Sequence, residues 1–505
     1  MGDGQYSARA GEDLTVGAPG PSHLGTWERS LRVKETSPTP GVVRNPRRPR
    51  IIFGKEGVRV RKLLPLGLLI AAGAVAQQVP LSTDLPSHPF FIKDTWYIGG
   101  AGNWDYLTFD RDAGRLYIAH GTLMQVFDAE TGSVTGAIRD LYEARQVALD
   151  DTGQFGYVSD GGQGKVVVFD RQTIKRVVEI ETGANPRWVV FDPLTHLVFV
   201  MRANPPSEAP SAAPSARRRI TGFGETAPPA PAPNLPAQQQ ESNVQSFVTV
   251  IDALTQTALG EIKLSGQLGY TVRDGNGQLY IALPDRNQVA RIDAQAIAAV
   301  MRPHPAENTA SAPAETQAAD SSGPAAGPRE EAKPKQPPFI TLDWTGARRS
   351  AAIADGHLRI FQVGPECSEP RALAIDERHL RIFAACTNRT LEVLNTGTGE
   401  KVTALPIGPG ADAVGYDPEH SLIFTSNGAG EGSVTIIRQD VTDTYNVIQT
   451  LPTRQRANTL AVNPASGAVY LVTDYQGLDL SHPGGIGTLH EKPVEGSFQV
   501  LQVGN

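Results

Sequence analysis

Charged and polar side chains stand at matching positions of a repeat whose period is close to 40 residues. Arginine is the commonest type among them, and the positions are Asp105, Arg145, Arg187, Gly269, Arg371, Asp412 and Asn458. An arginine guanidinium donates paired, charge-assisted hydrogen bonds to carboxylate and phosphate groups. If the fold gathers these positions, they predict a binding site for a small anionic ligand. The alternative is that the charges pair with one another and seal the site.

Three large aromatic residues adjoin these positions in the sequence. Trp104 and Trp188 each neighbour one of them, and Tyr270 follows Gly269. Their rings could stack on a ligand, which would make them part of the same predicted site. The alternative is that they pack between structural elements.

Catalytic and metal-binding patterns are missing from the sequence. The ten histidines are scattered, with no pair at a ligand spacing. There is no Gly-x-Ser-x-Gly nucleophile motif and no glycine-rich phosphate loop with its lysine. We therefore predict no catalytic residue, no metal and no cofactor.

The elements that must position these residues are short strands in a repeat. An aspartate closes the first strand of each unit, at Asp110, Asp150, Asp192, Asp274, Asp376 and Asp417, with Asn463 in the last. In the stretch 107–138, four strands are separated by turns such as Asp-Ala-Gly and Glu-Thr-Gly. Seven such units predict an all-β fold, a seven-bladed β-propeller of four-stranded antiparallel blades. In that fold the charged positions ring one mouth of the central channel.

Two segments interrupt the repeat. Residues 203–244 and 301–338 are rich in Ala, Pro, Ser, Gln and Glu, so we expect disordered insertions on opposite faces of the propeller. The last unit lacks a fourth strand, whereas residues 93–98 form a strand without a unit. We predict that this N-terminal strand completes the last blade and closes the ring, giving a propeller over residues 90–505.

Cys367 and Cys386 are the only cysteines. Cys367 precedes the first predicted strand of blade 5 and Cys386 ends the second, so a hairpin brings both to one face. We expect a disulfide, which would suit an exported protein. Two free thiols are the alternative.

The repeat units resemble a known family. GGAGNWDYLTFD, CSEPRALAIDERHLRIFAAC and PIGPGADAVGYDPEHSLIFTSNG are similar to blades of the YVTN-repeat β-propellers, in their YncE-like group of exported bacterial proteins. The resemblance implies the propeller fold and export. It implies no particular activity, because this fold carries many.

The N-terminus predicts export independently. The stretch Val58–Lys62, which contains three basic residues, precedes a 14-residue apolar run that ends Ala74-Val75-Ala76. This is the pattern of a signal peptide over residues 58–76, cleaved between Ala76 and Gln77. Residues 1–57 are polar and rich in Pro and Gly, so we expect them to be disordered and to lie upstream of the true start of translation.

The remaining chain, residues 77–505, carries 34 Lys and Arg against 47 Asp and Glu. This acidic balance repels the phosphates of nucleic acid and disfavours it as a partner. We expect the mature protein to be a periplasmic or secreted monomer without a membrane span. We expect it to bind an unidentified protein or a small anionic ligand at the channel mouth, without catalysis. The alternative is a propeller enzyme, a lactonase-like hydrolase or a cofactor-dependent dehydrogenase.

Overall fold

The computed structural model describes residues 88–100, 103–202, 244–302, 339–441, 443–478 and 491–505. The predicted N-terminal extension 1–57, the signal peptide 58–76 and most of both insertions lie outside these residues. Only the edges of the insertions, at 244 and 301–302, are described.

Blades 1 to 3 follow one another along the chain, each built from strands in sequence order. Blade 1 contains β2 (Trp104–Asp110), β3 (Arg115–His120), β4 (Leu123–Asp128) and β5 (Val134–Ile138). Blade 2 contains β6 (Ala144–Leu149), β7 (Phe155–Asp160), β8 (Lys165–Asp170) and β9 (Lys175–Glu181). Blade 3 contains β10 (Pro186–Asp192), β11 (Leu197–Arg202), β12 (Gln245–Asp252) and β13 (Thr257–Ser265).

Blades 4 to 6 repeat the pattern. Blade 4 contains β14 (Thr271–Arg273), β15 (Gln278–Leu283), β16 (Gln288–Asp293) and β18 (Leu358–Gln362). Blade 5 contains β19 (Pro370–Asp376), β20 (Arg381–Cys386), β21 (Thr390–Asn395) and β22 (Lys401–Pro406). Blade 6 contains β23 (Ala411–Asp417), β24 (Leu422–Asn427), β25 (Ser433–Val441) and β26 (Thr444–Pro452).

Blade 7 combines the last strands of the propeller with a strand that precedes blade 1, as predicted. It contains β27 (Leu460–Asn463), β28 (Ala468–Thr473), β31 (Gln499–Gly504) and, as the outer strand, β1 (Phe91–Tyr97). The β1 strand runs antiparallel to β31 and covers its edge. A two-stranded hairpin, β29 (Gln476–Leu478) with β30 (Glu491–Pro493), extends from this blade. The prediction of ring closure by the N-terminal strand is confirmed.

Blade 3 departs from the four-stranded prediction because it gains a fifth strand. The chain between β16 and β18 forms α1 (Ala294–Met301), β17 (Ile340–Trp344) and α2 (Gly346–Ala354). β17 pairs in parallel with β13, from Gly260 opposite Ile340 to Leu264 opposite Trp344. The segment that follows the insertion of blade 4 therefore covers the outer edge of blade 3, which would otherwise expose unpaired backbone groups.

The hydrophobic core is divided among the interfaces between blades. The inner strands β2, β6, β10, β14, β19, β23 and β27 contact their neighbours in turn, and β27 contacts β2. Each pair of adjacent blades shares one cluster of buried side chains, such as Tyr117 and Phe169 between blades 1 and 2. A single blade cannot bury both of its faces, so this stacking supplies the burial that stabilises every unit.

The aspartate that closes each inner strand organises the turn that follows. Asp110 accepts backbone hydrogen bonds from Asp112 and Ala113, both at 3.1 Å. Asp417 likewise accepts backbone hydrogen bonds from Glu419 and His420. This side-chain turn explains why aspartate, or asparagine at Asn463, marks the repeat.

The cysteines lie where the hairpin of blade 5 predicted. Cys367 and Cys386 form a disulfide with their Cα atoms 5.4 Å apart, which is within the usual range for disulfides. Both are buried.

No helix within the described ranges is both long enough and apolar enough to cross a bilayer.

Candidate functional site

One cavity opens where the inner strands begin. Its volume is about 730 Å³, and it is lined by the six charged or polar positions and Gly269, together called the mouth ring: residues 105, 145, 187, 269, 371, 412 and 458. The sequence register therefore identified side chains that lie far apart in the chain and around one opening in the fold.

Interruptions of the strand pairing turn these side chains toward the channel. In blades 3, 5 and 6 the pairing of the first two strands skips one residue, which is Arg187, Arg371 or Asp412. In blades 1 and 2 it skips two residues, beginning with Asp105 and Arg145. A β-bulge leaves its residue out of the ladder and redirects the side chain, and bulges are common beside functional sites.

Neighbouring blades hold the backbone of the ring. Ser159 of blade 2 donates a 2.7 Å hydrogen bond to the carbonyl oxygen of Arg187 in blade 3. Ser426 of blade 6 donates similarly to the carbonyl oxygen of Asn458 in blade 7. Thr459 donates a 3.0 Å hydrogen bond to the carbonyl oxygen of Asp105 across the blade 7 to blade 1 interface. The ring is therefore fixed by contacts between blades.

On one side of the mouth, the charges are paired. Arg145 Nη1 donates a 2.9 Å hydrogen bond to Asp105 Oδ2, and Arg145 Nη2 binds Glu143. Only 10% of the Asp105 side chain is exposed. Here the alternative interpretation, in which opposite charges neutralise each other, describes the structure.

On the other side, two arginines remain open to a ligand. The nearest carboxylate oxygen lies 3.9 Å from Arg187, on Asp105. Arg371 lies 3.8 Å from Glu369 and 3.9 Å from Asp412. Among the described residues, neither guanidinium makes a side-chain hydrogen bond, and their side chains are 37% and 53% exposed. These two groups keep their donors available.

Burial changes the acidity of the carboxyl groups at the mouth. It raises the pKa of Asp105, and Arg187 and Arg145 offset only part of that effect. It also raises the pKa of Asp412, against the influence of Arg371 and Arg187. Removing a carboxylate from water disfavours its charged form, so both groups take up a proton more readily than an exposed aspartate.

The three predicted aromatic residues have different positions. Trp104 and Trp188 line the cavity, and each already carries a guanidinium over its ring: Arg456 at 5.0 Å and Arg187 at 4.9 Å. Tyr270 does not contribute to the lining. Its ring packs on Tyr106, with centroids 5.2 Å apart, and its hydroxyl lies 3.4 Å from Gln146 Nε2. For Tyr270, packing between blades therefore describes the structure better than ligand stacking.

Sequence reasoning missed a second tier of the cavity. The residues two positions before the mouth ring contribute Asn103, Gln267, Glu369 and Arg456 to the lining. The same repeat register, read two residues earlier, would have found them, since alternate residues of an extended segment point the same way. Arg456 adds a cation that the prediction lacked.

The described residues contain no group of three or more His, Cys, Asp or Glu side chains arranged to hold a metal ion. Asp105 and Asp412 lie among arginines, and the positive charges of the arginines would repel a cation. The donor set of the mouth suits an anion.

No protein-family model and no curated protein matches this chain in sequence. Among solved structures, the chain is similar to the RRP9 WD40 repeats, with 9% identity and a TM-score of 0.50 over 81% of this chain and 97% of that one. U3-55K (9% identity, 81% and 98% coverage) and the Mitotic Checkpoint Complex (12%, 80% and 96%) each give a TM-score of 0.49. At such low identity the RRP9 similarity concerns the fold alone. Together with the sheet topology, it assigns the chain to the seven-bladed β-propellers.

Proposed function

We propose that this protein is an exported, non-catalytic binding module that holds an anionic ligand or an acidic group of a partner at the channel mouth. The observation that carries the proposal is the pair Arg187 and Arg371. Both line a cavity of about 730 Å³, and neither donates a side-chain hydrogen bond within the described residues. Carboxylate and phosphate are the groups that an open guanidinium binds best.

The cavity has the dimensions expected of such a site. Ligand pockets commonly measure 300–1,000 Å³ and contain a few fixed polar groups. The bulges set the direction of both arginines, and the hydrogen bond from Ser159 fixes the backbone of Arg187, which reduces the ordering that binding requires. The acidic balance of the chain repels polyanions, which favours a ligand with one or two negative charges.

A thermal-shift screen of the purified full chain tests this function. The probes are inorganic phosphate, sugar phosphates and small dicarboxylates. We expect at least one to raise the melting temperature, and Arg187→Ala combined with Arg371→Ala to abolish that shift. Arg111→Ala is the matched control, because Arg111 is exposed and pairs with Glu419, away from the cavity. An unchanged shift in the double variant would refute the proposal.

Export is part of the same proposal and has its own test. It is supported by the signal-peptide pattern at residues 58–76 and by the disulfide between Cys367 and Cys386, because oxidising compartments favour disulfides. N-terminal sequencing of the mature protein should begin at Gln77. A cytosolic protein that keeps residues 58–76 would contradict export without affecting the anion site.

A further inference from the structure

A second depression joins the mouth cavity between blades 1 and 2. Its volume is about 360 Å³, and it shares Asn103, Trp104, Asp105 and Arg145 with the mouth. Away from the shared residues it is lined by Gly121, Tyr142, Glu143, Ala144 and Gly162. We call these five residues the side groove. A ligand that begins at Arg187 can therefore continue outward over blade 2.

The side groove is built rigidly although it is made of loops. The buried carboxylate of Asp160 accepts hydrogen bonds from the backbone amides of Tyr142, Glu143 and Gly162, at 3.0, 2.9 and 3.2 Å. The amide of Ala144 donates to the carbonyl oxygen of Gly121 at 2.9 Å. The two loops of blade 2 are thus tied to one buried side chain, and the hydrogen bond from Ala144 joins Gly121 of blade 1 to them.

Tyr142 is an exposed aromatic residue in a fixed position. It is 69% exposed, and within the described residues its hydroxyl has no hydrogen-bond partner and its ring stacks on no other ring. A Cβ atom at Gly162 would lie 2.6 Å from Tyr142 Cβ, so glycine is needed there for Tyr142 to occupy this site. A large exposed ring on a fixed backbone, with only two side-chain torsions to order, can bury contact area at low entropic cost when a partner arrives.

The charges of the groove differ from those of the mouth. Arg145 is already bound to Asp105 and Glu143, so the groove offers no free cation. Arg187 and Arg371, whose guanidinium groups make no side-chain hydrogen bond within the described residues, line the mouth cavity instead. The complementary ligand therefore has an uncharged extended part and one anionic group at its inner end.

We propose that the mouth and the side groove together bind an extended peptide with a single carboxylate at its inner end. The carboxylate lies against Arg187 and Arg371, and the preceding residues run along the groove past Tyr142. Tyrosine, tryptophan and arginine are the residues that dominate the hot spots of protein interfaces. Their presence here favours a peptide over an extended ligand of another chemical class. Gly121 contributes no side chain to the lining, so a main chain can approach closely there. This inference rests on the proposed anion site.

A library of immobilised decapeptides with free carboxyl ends tests the inference on the full chain, and affinities of the hits are then measured by fluorescence polarisation. Each hit is remade with an amidated end and with its acidic side chains changed to amides, which identifies the carboxylate that binds. We expect Tyr142→Ala to weaken the best decapeptide by about fivefold or more. Tyr97→Ala, which removes a 75% exposed tyrosine from β1, should change nothing.

The two proposals fail in different ways. If Arg187→Ala weakens binding of the peptide and of small anions while Tyr142→Ala acts like Tyr97→Ala, the groove is refuted and the anion site stands. If peptides bind and Tyr142→Ala weakens them but Arg187→Ala does not, the anion site is refuted. Tetragalacturonate, an acidic oligosaccharide, is tested beside the peptides as a ligand of different chemistry. If no peptide binds, or if tetragalacturonate binds in place of peptides, the peptide assignment is overturned.

Discussion

Arg145 in blade 2 donates a 2.9 Å hydrogen bond to the largely buried carboxylate of Asp105 in blade 1. The pair joins two adjacent blades at the channel mouth, and Arg187 of the third blade stands 3.9 Å from the same carboxylate. This one aspartate therefore neutralises Arg145 and leaves Arg187 only partly compensated. The division of the mouth into a paired side and an open side depends on it.

Removing the carboxylate should destabilise the propeller. We expect Asp105→Ala to lower the free energy of unfolding by about 1 kcal/mol, because Arg145 loses one of its two carboxylate partners and keeps Glu143. Asp105→Asn keeps an acceptor and should cost less. Urea unfolding followed by circular dichroism measures both, and equal stability of Asp105→Ala and wild type would contradict this account of the pair.

Anion affinity should increase as the pH falls below neutrality. The folded-state pKa values of Asp105 and Asp412 are raised by burial, so both carboxyl groups become neutral at a higher pH than an exposed aspartate. Protonation removes the charges that compete with a ligand for Arg187 and Arg371. A small disulfonate, which stays ionised, is the suitable probe, and its affinity is measured by calorimetry at several pH values. Asp412→Asn should flatten the dependence; an affinity that decreases with falling pH would contradict the model.

His120 should make stability sensitive to acid. It is buried, its ring stacks on Phe498 with centroids 4.3 Å apart, and its Nδ1 lies 3.0 Å from Gln125 Oε1. Burial lowers the pKa of His120 below its usual value near 6.5, so the folded protein disfavours the charged ring. This contribution to stability is complete above pH 6.5 and is lost as the pH falls from there through the folded-state pKa.

Urea unfolding at pH 8 and at pH 5 measures this contribution. The wild type should lose stability between the two values, and His120→Gln, which cannot be protonated, should lose less. An identical loss in both proteins would exclude His120 as the cause. His420→Gln is the control, because His420 is a different histidine that is exposed and bound to Asp417.

Deleting residues 90–100 should destabilise the whole propeller. The deletion removes β1, exposes the edge of β31 and takes Trp96 out of the interface between blades 7 and 1. We expect the melting temperature to fall by roughly 10 °C or more. A chain beginning at residue 88 is the control, since it keeps the strand, and equal melting of the two truncations would contradict ring closure by β1.

The disulfide should stabilise the fold measurably. It closes a loop with a sequence separation of 19 residues, for which the chain-entropy model gives about 3 kcal/mol. Replacing both Cys367 and Cys386 with serine should lower the free energy of unfolding by about that amount. A thiol assay on the denatured, unreduced protein should detect no free thiol, and detection of two would show that the disulfide does not form.

Much of this structure could be predicted from the sequence because its repeat is local. Each unit carries its own turn-forming aspartate or asparagine, its alternating apolar residues and its glycines, so the number of blades and the membership of the mouth ring follow from one register. The strand at residues 91–97 could be placed in blade 7 because a closed ring requires a partner for β31.

Tertiary structure decided how the ring residues are used. The pairing of Arg145 with Asp105, the open state of Arg187 and Arg371, and the withdrawal of Tyr270 onto Tyr106 depend on bulges and contacts between blades. The parallel strand β17 on blade 3 is likewise a contact between segments that are distant in sequence. A repeat register states which residues occupy equivalent positions. It contains no information about distances between side chains from different blades, and those distances determine which charges are neutralised and which can bind a ligand.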